Sequence, residues 1–236
     1  EFRRTQNWIG PAGATLANAT YVPPPPGELL PCLDAWETFL HDRSQPPLAQ
    51  IALGHYQFEA IHPFLDGNGR VGRLLITLFL VERQVLPAPL LYLSAFFEAT
   101  RQEYYDRLRG VTERGEWEAW LEYFLNGMAR QAEDAIGRVQ RINALLDQWR
   151  RAVAGSASRA PARLLDLLAE NPYWTVNRVA KRLSVAYTTA ERAVERLEAL
   201  SILTRTTDAK RDRVYCARPI LTILEAPAIV TPTTRS

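Results

Sequence analysis

Residues His62 to Gly69, reading His-Pro-Phe-Leu-Asp-Gly-Asn-Gly, separate two strongly apolar helical runs, and this break constrains the fold more than any other stretch of the chain. Leu48 to Ile61 reads as one helix, and Pro63 disfavours helical geometry at His62, so that helix stops there. Gly67-Asn68-Gly69 forces a tight turn, and a second helix is expected from Arg70 to Gln84. Its apolar residues Val71, Leu74, Leu75, Leu78, Phe79 and Val81 cover most of its circumference, which predicts a central helix buried on nearly all sides.

The loop between these helices carries chemistry as well as geometry. Glycines just ahead of a helix let an anion approach backbone N-H groups that have no intrahelical partner, at the positive end of the helix dipole. Arg70 and Arg73 lie three apart, so they share a face of the first turn, where the dipole disfavours a cation by about 0.3 to 1 kcal/mol. A docked polyanion resolves that conflict, because guanidinium groups grip phosphate oxygens bidentately. Asp66 can cap the helix or hold Mg²⁺, an ion that commonly takes one protein carboxylate and draws its other oxygens from phosphates and water; the anion nest favours Mg²⁺. His62, a few residues away, has the near-neutral pKa of a general base. Phe64 is expected to point inward and anchor the loop. Gly-Lys-Ser/Thr is absent and no strand precedes the loop, which excludes a Walker loop and a Rossmann turn.

The remainder of the chain reads as mainly α. Thr5 to Pro26 is loop-like, Leu29 to His41 is a short amphipathic helix, and helical patterns run over Ser94 to Arg107 and from Glu116 to about Arg151. Ala152 to Ala160 has the composition of a linker. Beyond it, helices are expected over Pro161–Glu170, Thr175–Leu183 with Thr175 as N-cap, and Thr188–Leu200, followed by a β-hairpin of Ile202–Arg205 and Val214–Ala217. Three helices and a hairpin spell a winged helix-turn-helix. The domains are therefore 1–151, a linker at 152–160, and 161–236.

Composition narrows the class. The 236 residues are 47% hydrophobic and 23% charged, ordinary for a globular protein, and the net charge of +2 is too mild to make the whole molecule a nucleic-acid binder. No segment is apolar for long enough to span a bilayer, so a cytoplasmic location is expected. Cys32 and Cys216 form no CxxC pair and are expected to stay reduced. The chain opens on Glu1-Phe2-Arg3-Arg4 without Met, and loss of an upstream segment is expected.

The run His62 to Arg73 resembles the Fic family motif His-x-Phe-x-(Asp/Glu)-Gly-Asn-Gly-Arg-x-x-Arg, matching it at every fixed position. The resemblance extends to Gln6-Asn7-Trp8-Ile9-Gly10, to Asn18-Ala19-Thr20-Tyr21-Val22 with the prolines after it, and to Phe58-Glu59-Ala60-Ile61. It implies a mainly α Fic helical bundle with a β-hairpin flap at about 14–26, followed by the small C-terminal winged helix-turn-helix domain that many members carry. It further implies transfer of AMP from ATP and Mg²⁺ to a Ser, Thr or Tyr hydroxyl of a target protein, or of the enzyme itself. On that resemblance His62 is the base, Asp66 holds Mg²⁺, Gly67, Asn68 and Gly69 cradle phosphates, and Arg70 and Arg73 bind the β- and γ-phosphates. Thr20, Tyr21 and Val22 fall in the flap, which docks target backbone by strand addition.

Many family members are restrained by a helix bearing Ser/Thr-x-x-x-Glu-Gly/Asn. The nearest approaches here, Ser94 to Ala99 and Thr112 to Trp117, both fail at the last position, so the expectation is that this helix lay upstream and is missing. In the C-terminal module Thr188, Thr189 and Arg192 open the third helix, and Lys210, Arg211 and Arg213 sit at the wing tip, where DNA contacts fall in such modules. Glu191, Glu195 and Glu198 oppose DNA, and a protein-interaction or homodimer role stays open. The competing readings are a nucleotide-sensing DNA-binding regulator, or a Fic enzyme that removes AMP or transfers another phosphate-containing group.

Overall fold

The computed structural model describes residues 1–89, 91–156, 158–206 and 213–226. The chain divides into two compact units, Glu1–Glu133 and Asp134–Pro227.

The first unit is built on α1 (Leu29–His41), α2 (Pro47–Ile61), α3 (Asn68–Glu82), α4 (Leu93–Ala99), α5 (Arg101–Arg114) and the opening turns of a long helix, α6 (Trp117–Val153). Its core gathers Ile51, Ala52, Ile76, Leu80, Phe96, Phe97, Trp120 and Phe124. The central position belongs to α2, not to α3 as the apolar pattern suggests. Gln50, Ile51, Ala52, Gly54, His55, Tyr56, Phe58 and Ile61 of α2 are all buried, and Trp120 of α6 donates its indole N-H to the Ala52 carbonyl at 3.0 Å. On α3, by contrast, Leu74 and Leu78 are 57% and 52% exposed. They sit four apart on one face, which α2 does not cover, so an all-round apolar count overstates how many neighbours the helix has.

Close approach of α2 and α3 depends on Gly72. A Cβ there would lie 2.7 Å from the Glu59 Oε1, 3.1 Å from the Phe58 ring and 3.2 Å from the His55 ring. The helical pattern expected over 94–107 is broken at Thr100, which separates α4 from α5. Ahead of α1, the arm is less regular than a hairpin of two strands. A single antiparallel bridge, Ile9 to Tyr21, closes it, and a 3-10 turn, Leu16–Asn18, lies inside the loop.

The second unit contains the later turns of α6, α7 (Ala160–Glu170), α8 (Val176–Leu183), α9 (Tyr187–Ala199), a three-stranded antiparallel sheet and α10 (Arg218–Glu225). The strands are β1 (Tyr173–Thr175), β2 (Thr204–Arg205) and β3 (Val214–Cys216), in the order β1-β3-β2, with Trp174 opposite Tyr215 and Thr204 opposite Cys216. β1 and α10 carry no strong periodic signal, being three and eight residues long. Thr175 caps α8, accepting the Arg178 N-H at 3.3 Å. Leu164, Leu165, Leu168, Val179, Leu197, Ile202 and Leu203 form the core, together with Leu146, Trp149 and Val153 from the end of α6. These last three explain why the division falls inside α6, ahead of the small-residue stretch 152–160: the final turns of the helix already pack into the second core.

Both cysteines are free. No described helix is long and apolar enough to cross a membrane.

Candidate active site

His62 ends α2 in the left-handed conformation, φ 49° and ψ 60°, and donates its backbone N-H to the Phe58 carbonyl at 3.0 Å. A non-glycine residue there costs on the order of 1 to 3 kcal/mol and persists only where its surroundings fix it. They do so through polar side chains that reach the loop backbone. Arg3, only 4% exposed, donates from Nε to the His62 carbonyl at 3.0 Å and from Nη2 to the carbonyls of Ile61, at 3.4 Å, and Pro24. Its own backbone N-H bonds the Pro63 carbonyl at 2.9 Å. Asn7 donates to the Phe64 carbonyl at 3.2 Å.

Asn68 completes this bracing from the other side of the loop. Its amide accepts the Phe64 N-H at 2.8 Å and donates to the Phe64 carbonyl at 2.7 Å. With that side chain buried, Asn68 can offer an anion only its backbone. Phe64 is half-buried, its ring 5.5 Å from Phe2 and 6.4 Å from Phe58, where an inward anchor would sit.

Gly67, at φ 90°, is the N-cap of α3, so Asn68 and Gly69 lie within its first turn and Arg70 and Arg73 follow immediately. Asp66 makes no capping bond to α3; its exposed carboxylate pairs with Arg70 at 3.1 Å. A Cβ on Gly67 would come within 3.4 Å of the Arg70 guanidinium, and one on Gly69 within 3.1 Å of that of Arg73. The glycines thus leave room between backbone N-H groups and both cations. That cradle suits a polyphosphate, and the accessible Asp66 carboxylate beside it suits Mg²⁺, whose remaining ligands would be phosphate and water oxygens; Glu98 lines the same cavity from α4. Among the described residues no group of three or more His, Cys, Asp or Glu could hold a metal without such help.

Two cavities meet at this point. One, of about 290 Å³, is lined by His62, Asp66, Gly67, Gly69, Arg70 and Arg73. The other, of about 540 Å³, also reaches His62, Gly69 and Arg73, and runs between the arm at Ile9, Thr20 and Tyr21 and the α5 side chains from Arg101 to Glu113. Tyr21 is fixed there by donating its hydroxyl to the Ala60 carbonyl at 2.9 Å. Thr20 and Val22 are exposed beside it. The His62 Nδ1 lies 3.3 Å from the Glu59 carbonyl, a geometry that places the proton on Nδ1 and leaves Nε2 as the basic nitrogen. Burial, with a smaller effect of the Arg3 charge, holds the imidazole pKa below its usual 6.5, against the opposing bond to Glu59.

Three features of the site are not legible in the loop sequence. Arg3 and Asn7 act on the loop from 59 and 57 residues away. Arg101, the first residue of α5, lines both cavities; reading 94–107 as one helix hid the break that puts it there. Glu59 contributes to the wall a carboxylate whose Oε1 is sealed from solvent and has no hydrogen-bond partner.

The site has known counterparts. Residues 1–80 match the family model described as Fic/DOC family. Over those residues the chain is similar to a Fic domain. It is similar to the protein adenylyltransferase Fic of Drosophila ananassae, 40% identical over 84 residues that cover 34% of this chain and 15% of the relative. The protein of the same name from Aedes aegypti is 33% identical over 116 residues, 48% of this chain and 20% of the relative. The chain thus spans a fifth or less of the length of these curated relatives. A crystal structure of a Fic family protein from Desulfovibrio desulfuricans G20 shares the fold, with a TM-score of 0.52 and 20% identity, over 92% of this chain and 62% of that one.

In the second unit the expected contact residues are spread over two elements. On α9, Thr188 and Arg192 are exposed and Thr189 is half-buried, while Glu195 is exposed on the same helix; Arg213 is exposed just ahead of β3. Lys210 and Arg211 lie outside the described residues.

Proposed function

We propose that this chain is a protein adenylyltransferase that moves AMP from MgATP to a Ser, Thr or Tyr hydroxyl of a protein. The observation that carries the reading is the tautomer and position of His62: a neutral imidazole, its Nδ1 proton engaged by the Glu59 carbonyl, lies where a polyphosphate cradle meets a larger cavity bordered by the arm.

In this reading Nε2 of His62 takes the proton of the acceptor hydroxyl as its oxygen attacks the α-phosphorus. The bond from that phosphorus to the bridging oxygen breaks, and pyrophosphate leaves with the electron pair. Arg70 and Arg73, with the backbone N-H groups of the first turn of α3, neutralise the charge that develops on the leaving group. Mg²⁺, held by Asp66, would supply further neutralisation of the phosphates. Ordering of the loop by Arg3, Asn7 and Asn68 fixes the base relative to the cradle, so little reorganisation remains when the hydroxyl arrives. The arm presents the acceptor through backbone pairing near Thr20, Tyr21 and Val22.

The test is incubation with MgATP followed by mass spectrometry of the protein itself and of lysate proteins. We expect a covalent AMP adduct that disappears when His62→Ala replaces the wild type, a loss of roughly 10² to 10⁴ in rate. Equal labelling by the variant, or no adduct from either protein, overturns the reading.

A further inference from the structure

Glu59 is the one acidic side chain walling the larger cavity from α2, and the mechanism above leaves its carboxylate without a task. Its Oε1 is buried without a hydrogen-bond partner, an arrangement a carboxylate tolerates poorly unless it is neutral or close to a cation. The nearby cation is Arg73. Both converge on Gly69: a Cβ at that residue would stand 3.1 Å from the Arg73 Nη1 and 3.8 Å from the Glu59 Oε1. Among the described residues no ion pair joins them within 4.0 Å. Gly72 keeps this seat open, since any side chain there would collide with Oε1.

We propose that Glu59 is a titratable competitor for Arg73: neutral, it leaves the guanidinium to a polyphosphate, and ionised, it holds the guanidinium back, so that nucleotide binding takes up a proton. This rests on the proposed nucleotide site. The physical argument is the repulsion between a buried carboxylate and a polyanion that share one cation, which burial leaves weakly screened.

Among the carboxyl groups bordering this cavity, Glu59 is the one that burial brings toward neutrality. Burial pushes its pKa up to about 7, with Arg73 pulling the other way. On α5, Tyr104 faces both Glu59 and Arg73, and burial keeps its hydroxyl protonated well above the usual 10. From the arm, Tyr21 lines the same cavity with its pKa pushed to about 12. On its own helix, His62 is held below 6.5 and His55 is pushed down to about 3. Arg101, Asp106, Arg109 and Glu113 border the cavity along α5.

The test is equilibrium binding of the ATP analogue with a methylene between the α- and β-phosphates, with Mg²⁺, to the wild type and to Glu59→Gln, which keeps shape but cannot ionise. A carboxyl titrating near 7 that must be neutral for full binding weakens affinity about 11-fold at about pH 8 and about 1.3-fold at about pH 6.5. Glu59→Gln is therefore expected to bind up to about tenfold more tightly than wild type at the higher pH, and alike at the lower. Calorimetry in buffers of different ionisation enthalpy is expected to show proton uptake on binding at about pH 7.5 in the wild type that exceeds the uptake in Glu59→Gln, which separates Glu59 from His62 at the same cavity. A ratio that does not change with pH, weaker binding by Glu59→Gln at both, or equal proton uptake by wild type and variant overturns the inference while leaving the nucleotide site standing. No binding of the analogue at any pH overturns the site and the inference together.

Discussion

The loop after α2 and the third helix of the second unit, α9, both present arginines to solvent, yet only the first forms a site by its own geometry. At the loop, the backbone at His62 and Phe64 is held by the buried polar side chains Arg3 and Asn68, beside left-handed Gly67 and the cations Arg70 and Arg73. On α9, Thr188 and Arg192 project from a regular helix that an apolar face of Ala190, Ala193, Val194 and Leu197 attaches to its core. A preorganised site needs an internal framework of satisfied hydrogen bonds, and a row of exposed cations needs none. The lesson is where to cut. Changes to the framework of the loop should cost both stability and activity, and changes on α9 should cost neither.

Asn68→Ala tests the framework most severely. It removes both bonds to Phe64 and strands a backbone N-H in a buried turn, for which about 1 to 3 kcal/mol is expected. We expect a lower melting temperature and, because His62 loses its fixed relation to the cradle, a fall in AMP transfer larger than the fall in nucleotide affinity. If thermal unfolding is unchanged while transfer drops, the Asn68 side chain acts on the substrate instead, and the division between frame and contact residues must be redrawn.

How far the loop could be read from sequence follows from the same distinction. Pro63, Gly67 and Gly69 betray unusual backbone by residue type, and the spacing of Arg70 and Arg73 follows from helical geometry, so the turn and the helix face it opens are legible. Arg3 was not, because nothing in its neighbourhood marks a cation destined for three carbonyls far along the chain. The inward turn of Asn68 was missed for a related reason: a polar residue between glycines reads as exposed until the bonds to Phe64 are seen. On α3, hydrophobicity alone could not reveal that Leu74 and Leu78 face solvent, since the pattern counts apolar residues and not the neighbours available to cover them. In the second unit, helices long enough to show a period were legible, whereas the short strand Tyr173–Thr175 is recognised only by its pairing with Val214–Cys216.

A gentler test of the buried polar groups uses pH. His55, stacked between Phe97 and Trp120 with its Nε2 3.0 Å from the Tyr104 hydroxyl, has its pKa pushed down to about 3 by burial. A depressed histidine contributes stability that is present above its unfolded value of about 6.5 and is lost as pH falls toward 3. Glu59 is raised, so its contribution is present below its unfolded value of about 4.5 and is lost as pH rises through about 7. Between about 4.5 and 6.5 the two slopes oppose each other, each up to about 1.4 kcal/mol per pH unit. Glu59→Gln should therefore uncover a steeper loss of stability on acidification than wild type shows, measured by denaturant unfolding across that range. Identical pH profiles would mean that the Glu59 carboxyl titrates alike in the folded and unfolded chain.

The smallest expected effect lies on α9, and it bears on the contrast from the other side. If this helix meets a duplex as its exposed Thr188 and Arg192 allow, Arg192 contributes one phosphate contact, and Arg192→Ala lowers the slope of log affinity against log salt by about 1 without changing sequence preference. Glu195, exposed on the same helix, works against that contact, so Glu195→Gln should strengthen binding by a comparable amount. Neither change should alter AMP transfer or the melting temperature, because neither side chain belongs to a hydrogen-bonded frame. A wild type that binds duplex DNA with no dependence on salt, or not at all, makes α9 a surface for protein instead. Loss of AMP transfer in Arg192→Ala would break the contrast itself, since the chemistry at His62 would then depend on a residue outside the framework that holds it.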